Sequence, residues 1–114
     1  MHLKNFSLIN PANKGHSLTP AYDMIATALV NPQDNEDLAL SLNGRKKRIN
    51  RNDFLKAFDT LGINEKVQSN LFRKFEKTIP QWERFIDSSF LDKSLKHAYK
   101  KLIYEKVTAL SLSL

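Results

Sequence analysis

The chain has no cysteine, so disulfides and thiolate metal sites are excluded. Its three glycines, Gly15, Gly44 and Gly62, are too far apart to form a phosphate-cradling loop. No apolar run approaches the roughly 20 residues of a membrane span. Met1-His2-Leu3-Lys4 leads into no long apolar stretch and no small-residue cleavage site, so no signal peptide is legible. These absences give the expectation of a cytoplasmic protein with no membrane partner. Internal repeats and low-complexity segments are also lacking.

What is present is enough for one folded domain spanning residues 1–114. Hydrophobic residues make up 41% and charged residues 26%, which excludes compositional disorder. The net charge of +6 suits nucleic acid, phosphates or an acidic partner. The densest cluster is Arg45-Lys46-Lys47-Arg48, with Arg51 close behind. It reads as a solvated hairpin tip or as a phosphate or acidic-protein contact. No aromatic interleaves it, so stacking on single-stranded nucleic acid is not suggested.

The first third of the chain carries β signals. Phe6-Ser7-Leu8-Ile9 reads as a short buried strand. Asn10-Pro11-Ala12-Asn13-Lys14-Gly15 is turn chemistry, and His16-Ser17-Leu18-Thr19 returns as the second strand. Met24 to Val30 reads as a helix or an irregular buried segment, broken at Asn31-Pro32. Leu38, Leu40 and Leu42 alternate with polar or small residues, which predicts a strand. Asn43-Gly44 predicts a hairpin turn after it.

From Asn50 onward the pattern is helical. Asn50 with Asp53 makes a capped start, and Phe54, Leu55, Phe58 and Leu61 form the apolar face. Gly62, with Ile63 behind it, predicts a Schellman end, and Asn64 caps the next helix. There Val67, Leu71, Phe75 and Ile79 recur every fourth residue, which predicts that Phe75 is buried. Pro80 breaks or kinks that run, or opens a new helix capped by Thr78. Trp82, Phe85 and Ile86 continue the apolar face, and the spacing of Trp82 and the Phe residues assigns them to the core. Ser88 or Ser89 precedes a last helix with Leu91, Leu95, Ala98, Leu102 and Ile103 inward. Lys93, Lys96, Lys100 and Lys101 lie on its exposed side. Leu110 to Leu114 reads as a frayed tail.

His2-x-Lys4-Asn5-Phe6-Ser7, followed by Pro20-Ala21-Tyr22-Asp23, resembles the C-terminal part of the HipA-like serine/threonine kinases of bacterial toxin–antitoxin systems. The family loop reads Asp-x-His-x-Lys-Asn-Phe-Ser, with a Tyr-Asp pair after a short hairpin. Ala39 to Gly44 and Phe54-Leu55 support the resemblance. It implies that Asn5 and Asp23 bind Mg²⁺, with His2 and Lys4 in supporting roles. It implies no catalytic residue in this chain, because the loop Asp falls just before Met1; Met1 is then expected to be an internal position of a longer protein. ATP is the implied second cofactor. The implied partners are an N-terminal kinase lobe, an antitoxin and a protein substrate, with DNA reached through the antitoxin complex.

A hairpin joining Asn5 to Asp23 suits that chemistry, since oxygen ligands from two segments must converge on a hard cation. The plainer reading is that Asn5 caps a turn and Asp23 caps a helix. Lys4 contacts a phosphate or is a solvated lysine. His16 and His97 have no ligand spacing and read as surface residues. Ser7 has no base at triad spacing and is no nucleophile. No Val-Ala-x-Lys strand is present to hold ATP phosphates, so this chain alone is expected to be inactive. The fold class expected is α+β, mostly α. A β-hairpin carrying the metal ligands precedes a helical bundle, like a kinase C-lobe. A helical interaction module or DNA-binding module is the alternative, the latter because Gly62 falls in a helix–turn–helix-like joint.

Overall fold

Local capping explains where the helices of this chain begin and end. In a computed structural model that describes residues 3–22, 24–31 and 33–113, the Asn50 side chain accepts from the Asn52 and Asp53 N–H groups, and the Asp53 carboxylate accepts from the Asn50 N–H. This reciprocal capping box starts a helix at Arg51–Thr60, numbered α2 below. Gly62 takes φ of 68°, a conformation that costs glycine least, and ends α2. The Gly62 and Ile63 N–H groups donate to Asp59 and Phe58, the Schellman pattern expected. Asn64 caps α3, Glu65–Ser88, through the Val67 N–H at 3.0 Å. Asp92, not a serine, caps α4, Lys93–Ala109.

The N-terminal part is lightly structured. A 3-10 turn at Leu3–Asn5 leads into β1, Leu8–Ile9, which pairs antiparallel with β2, Ser17–Leu18. Leu8, Ile9 and Leu18 are exposed, so the hairpin exists but its first strand is not buried. α1 is the single turn Thr27–Val30, and Met24, Ile25 and Val30 around it are exposed rather than buried. The strand expected over Leu38, Leu40 and Leu42 does not form. Only Leu42 and Arg45 bridge, across a tight turn with positive φ at Asn43 and Gly44. The turn signal was therefore real, but the alternating leucines have no second strand to pair with.

The helices pack around a small core of Ile49, Phe72, Ile79, Ile86 and Val107. On α3 the buried residues are Gln68, Phe72, Ile79 and Ile86. The stripe is thus rotated about one residue from Val67-Leu71-Phe75. Gln68 explains the rotation: its amide donates to the Asp59 carboxylate at 2.8 Å and the Ile63 carbonyl at 2.7 Å, pinning the α2–α3 turn. Phe75 is 49% exposed and stacks edge-on against Trp82, itself half-exposed. Phe85 and Phe90 are also exposed, so the assignment of these aromatics to the core is corrected. Leu61, Leu91 and Leu95 are likewise accessible, and Val107 takes the inward place on α4.

α3 continues through Pro80 instead of breaking. An internal proline costs about 3 kcal/mol. Burying Ile79 and Ile86 on one stripe returns roughly 1.5–3 kcal/mol each, enough to hold the helix together. Thr78 donates its hydroxyl to the Lys74 carbonyl and caps nothing. α4 runs back along α3. Lys96 and Lys100 hold the Asp87 backbone and carboxylate near the start of α4, while the Ser113 N–H reaches Glu76 beyond its end.

The tail is docked rather than frayed. Ser111 takes φ of 50°, and the Ser111 and Leu112 N–H groups donate to Thr108 and Val107 in a second Schellman turn. Arg51, read from sequence with the solvated basic cluster, is half-buried. It donates to the carbonyls of Leu110 and Ser111, and its guanidinium lies 4.0 Å from the centroid of the Phe72 ring. The radius of gyration is 16.2 Å, against about 13 Å for a close-packed domain of this size.

These burials set the order of two substitutions. Phe72, 6% exposed, should cost about 3–5 kcal/mol when replaced by alanine. Phe75→Ala should cost less than half of that, because much of its ring is already in water. Urea unfolding of both variants measures the difference.

Candidate functional site

The hairpin brings the segments flanking the sequence-predicted ligands together. β1 and β2 continue beyond their pairing through the Thr19 N–H, which donates to the Ser7 carbonyl at 2.9 Å. One rung further, the Tyr22 N–H donates to the Asn5 carbonyl at 3.2 Å. The register slips by one residue between these rungs, at Pro20-Ala21, where proline has no N–H to offer. Side chains reinforce the closure: the Ser7 and Tyr22 hydroxyls lie 2.7 Å apart.

Asn5 is buried at the end of the 3-10 turn, and Lys4 is exposed beside it. His2 and Asp23 lie outside the described residues, so the convergence of Asn5 and Asp23 is carried only as far as Tyr22, the residue before Asp23 in the chain. Among the described residues no group of three or more His, Cys, Asp or Glu side chains could hold a metal. The donor chemistry available is an amide oxygen at Asn5 and, by sequence, a carboxylate at Asp23. Both are hard oxygen donors, the kind that Mg²⁺ takes. A further oxygen is close in the ladder: the Thr19 hydroxyl is buried and has no hydrogen-bond partner among the described residues. Sequence reasoning quoted Tyr22 in the Tyr-Asp pair and Thr19 in the second strand but gave neither a role at the site. The signal available was an aromatic hydroxyl next to Asp23, at the closing end of a hairpin.

A second polar network supports the helical half. The Asp53 carboxylate accepts from the Asn43 side chain at 2.8 Å as well as from the Asn50 N–H at 3.0 Å, which ties the Asn43-Gly44 turn to the start of α2. The Asn43 bond, followed by the Asn50 N–H, holds the Asp53 carboxyl below its ordinary value. Burial raises Asp37. The Lys106 ammonium, aided by the Ile49 and Arg48 N–H groups, more than offsets this, and the group also lies below its ordinary value. The Lys106–Asp37 pair joins the middle of the chain to α4. Arg45, Lys46, Lys47 and Arg48 are exposed, and Lys46 meets Glu36 at 3.5 Å, as a solvated tip requires. His16 and His97 are at the surface.

A large concavity lies away from Asn5. It is an apolar groove of about 500 Å³ between α2, α3 and α4, lined by residues such as Phe54, Leu71, Phe75 and Trp82. No helix among the described residues is long and apolar enough to cross a membrane.

The family model for the HipA-like C-terminal domain matches residues 1–83, which takes in the hairpin, α2 and most of α3. No curated protein matches the chain.

The Asp53 network makes stability depend on pH with a definite sign. A carboxyl held below its ordinary value stabilises the fold above that value and loses the contribution as pH falls through its folded one. Wild type should therefore exceed Asp53→Asn in Tm at neutral pH. The gap should close as pH drops below about 3.8. Thermal melts of both proteins between neutral and acid pH follow it.

Proposed function

The chain belongs to the HipA-like C-terminal domain family, and from that premise we propose that it forms part of a serine/threonine kinase, a transferase that moves the γ-phosphate of ATP to a protein hydroxyl. The observation that carries this reading is the closed hairpin end, where buried Asn5 is bonded to the residue preceding Asp23. Mg²⁺, when bound, would neutralise the charge of the phosphates during transfer.

This chain's own part is positional. The hairpin fixes the Asn5 backbone through Tyr22, so the Asn5 amide is presented with little freedom left to lose. Asp23 would supply the carboxylate, and Lys4, exposed next to Asn5, would contact a phosphate. No carboxylate of the chain is assigned to orient the acceptor hydroxyl, the role that the family's loop Asp would take. The nucleotide lobe is likewise a partner of this domain, as are the antitoxin and the protein substrate.

Two ligands hold Mg²⁺ poorly without phosphates to complete its shell. Titration of the free chain with Mg²⁺, followed by NMR or calorimetry, should give binding no tighter than about millimolar. Tight binding would mean a site of another kind. The chain alone should transfer no label from ATP. In a longer protein that includes the upstream Asp and the nucleotide lobe, Asn5→Ala or Asp23→Ala should lower autophosphorylation on the order of 10²-fold. Full activity in either variant would remove the metal assignment.

A further inference from the structure

Asn43 is the one asparagine of the chain that is followed by glycine, and both residues are exposed. They form the tip of a two-residue turn. Leu42 and Arg45 exchange both backbone N–H···O bonds, at 2.7 and 2.9 Å, while Asn43 and Gly44 take φ of 49° and 72°. That closure leaves the Gly44 N–H with no acceptor among the described residues. Nor is Gly44 screened: a side chain at its Cα would meet no atom within 4 Å. The Asn43 amide, by contrast, is engaged. Its Nδ2 donates to Asp53 Oδ1 at 2.8 Å, and the other oxygen of that carboxylate accepts the Asn50 N–H in the capping box of α2.

We propose that Asn43 is a site of spontaneous deamidation, and that its conversion to a carboxylate uncaps α2 by setting a like charge against Asp53. The Gly44 nitrogen attacks Cγ of Asn43 and gives its proton to solvent. A cyclic imide forms as the Cγ–Nδ2 bond breaks, and Nδ2 leaves as ammonia with a proton taken from water. Water then opens the imide at either carbonyl, giving aspartate or isoaspartate. The amide and one water become a carboxylate and ammonium, and nothing is oxidised or reduced. Glycine favours the attack because it has no Cβ beside its nitrogen and its backbone turns freely. In the closed turn Asp53 holds the Asn43 side chain, so the reaction waits on local opening. Opening costs little here, because Asn43 through Arg48 are exposed and two backbone bonds hold the turn.

The product is felt at Asp53, which is 2% exposed. Deamidation removes the donor from its carboxylate and leaves two carboxylates where an amide and a carboxylate lay 2.8 Å apart. Asparagine and aspartate both tolerate a left-handed φ, so in the aspartate product the loss comes from charge and not from the turn. Isoaspartate goes further, because its backbone runs through the side-chain carbon and no longer matches the Leu42–Arg45 closure. The effect reaches the helices through the capping box. It starts α2 at Arg51, the residue that lies over Phe72 and holds the Leu110 and Ser111 carbonyls. None of this rests on the kinase reading.

Incubating the wild-type chain in mild alkali, then digesting it for mass spectrometry, follows the conversion of each asparagine. Asn43 should convert on the order of tenfold faster than any other, with isoaspartate among its products. Asn43→Asp, made directly, should lower Tm at neutral pH by on the order of 5 °C. The decisive variant combines Asn43→Asp with Asp53→Asn. Amide and carboxylate then exchange places: the amide at position 53 donates to the carboxylate at 43 and still accepts the Asn50 N–H. This double variant should recover most of the Tm that Asn43→Asp loses, and should do so even where that single variant fails to fold. Conversion of Asn43 no faster than that of the other asparagines overturns the proposal. So does a Tm for Asn43→Asp equal to wild type, or a double variant no more stable than Asn43→Asp.

Discussion

One arginine joins the three long helices. Arg51 stands in the first turn of α2, lies over the Phe72 ring of α3, and donates to the carbonyls that end α4. Each link alone is modest. A cation over a ring contributes about 0.5–2 kcal/mol, and a cation at a helix C-terminus about 0.3–1. Their value is geometric, because one planar, rigid group on α2 satisfies both at once. The core is too small to do this by burial: among the described residues, five apolar side chains are buried. With the Lys106–Asp37 and Lys100–Asp87 pairs, Arg51 lets the helices stand apart far enough to leave a groove without separating.

The hairpin is a separate device. It contributes little apolar burial, and its leucines face water. What it does is close a loop whose two ends carry the family's motif residues, and the Ser7–Tyr22 and Asn5–Tyr22 bonds lock that closure. A site that must present two oxygens from distant positions needs this rigidity more than it needs a deep core. On the proposed reading the hairpin serves metal binding and α2–α4 carry the buried core, so substitutions in the two act on different properties.

Signals that act within a few residues were legible in the sequence. Asn50 with Asp53, Gly62 with Ile63, Asn64 and Asn43-Gly44 each produced the cap or turn their chemistry demands. Signals that depend on distant partners were not. The alternating leucines at 38, 40 and 42 had no strand to pair with. The phase of α3 was decided by Gln68 finding Asp59 and Ile63, which no apolar count registers. Pro80 looked like a stop because its local cost is plain, whereas the isoleucines that outweigh it act across the helix pair. The docked tail depended on an arginine 59 residues earlier in the chain. Of the candidate site, the hairpin was legible, because turn chemistry stood between its two strands. The bonding of Tyr22 was not, because it depends on a one-residue slip in register.

The turn at Ser111 gives the tail a particular character. The left-handed conformation costs a residue other than glycine roughly 1–2 kcal/mol, and here a serine bears it in order to seat Leu112 at the end of the groove. The molecule thus seats one wall of its groove through a strained turn. Release of that turn recovers the backbone strain and so offsets part of the cost of lifting Leu112 away.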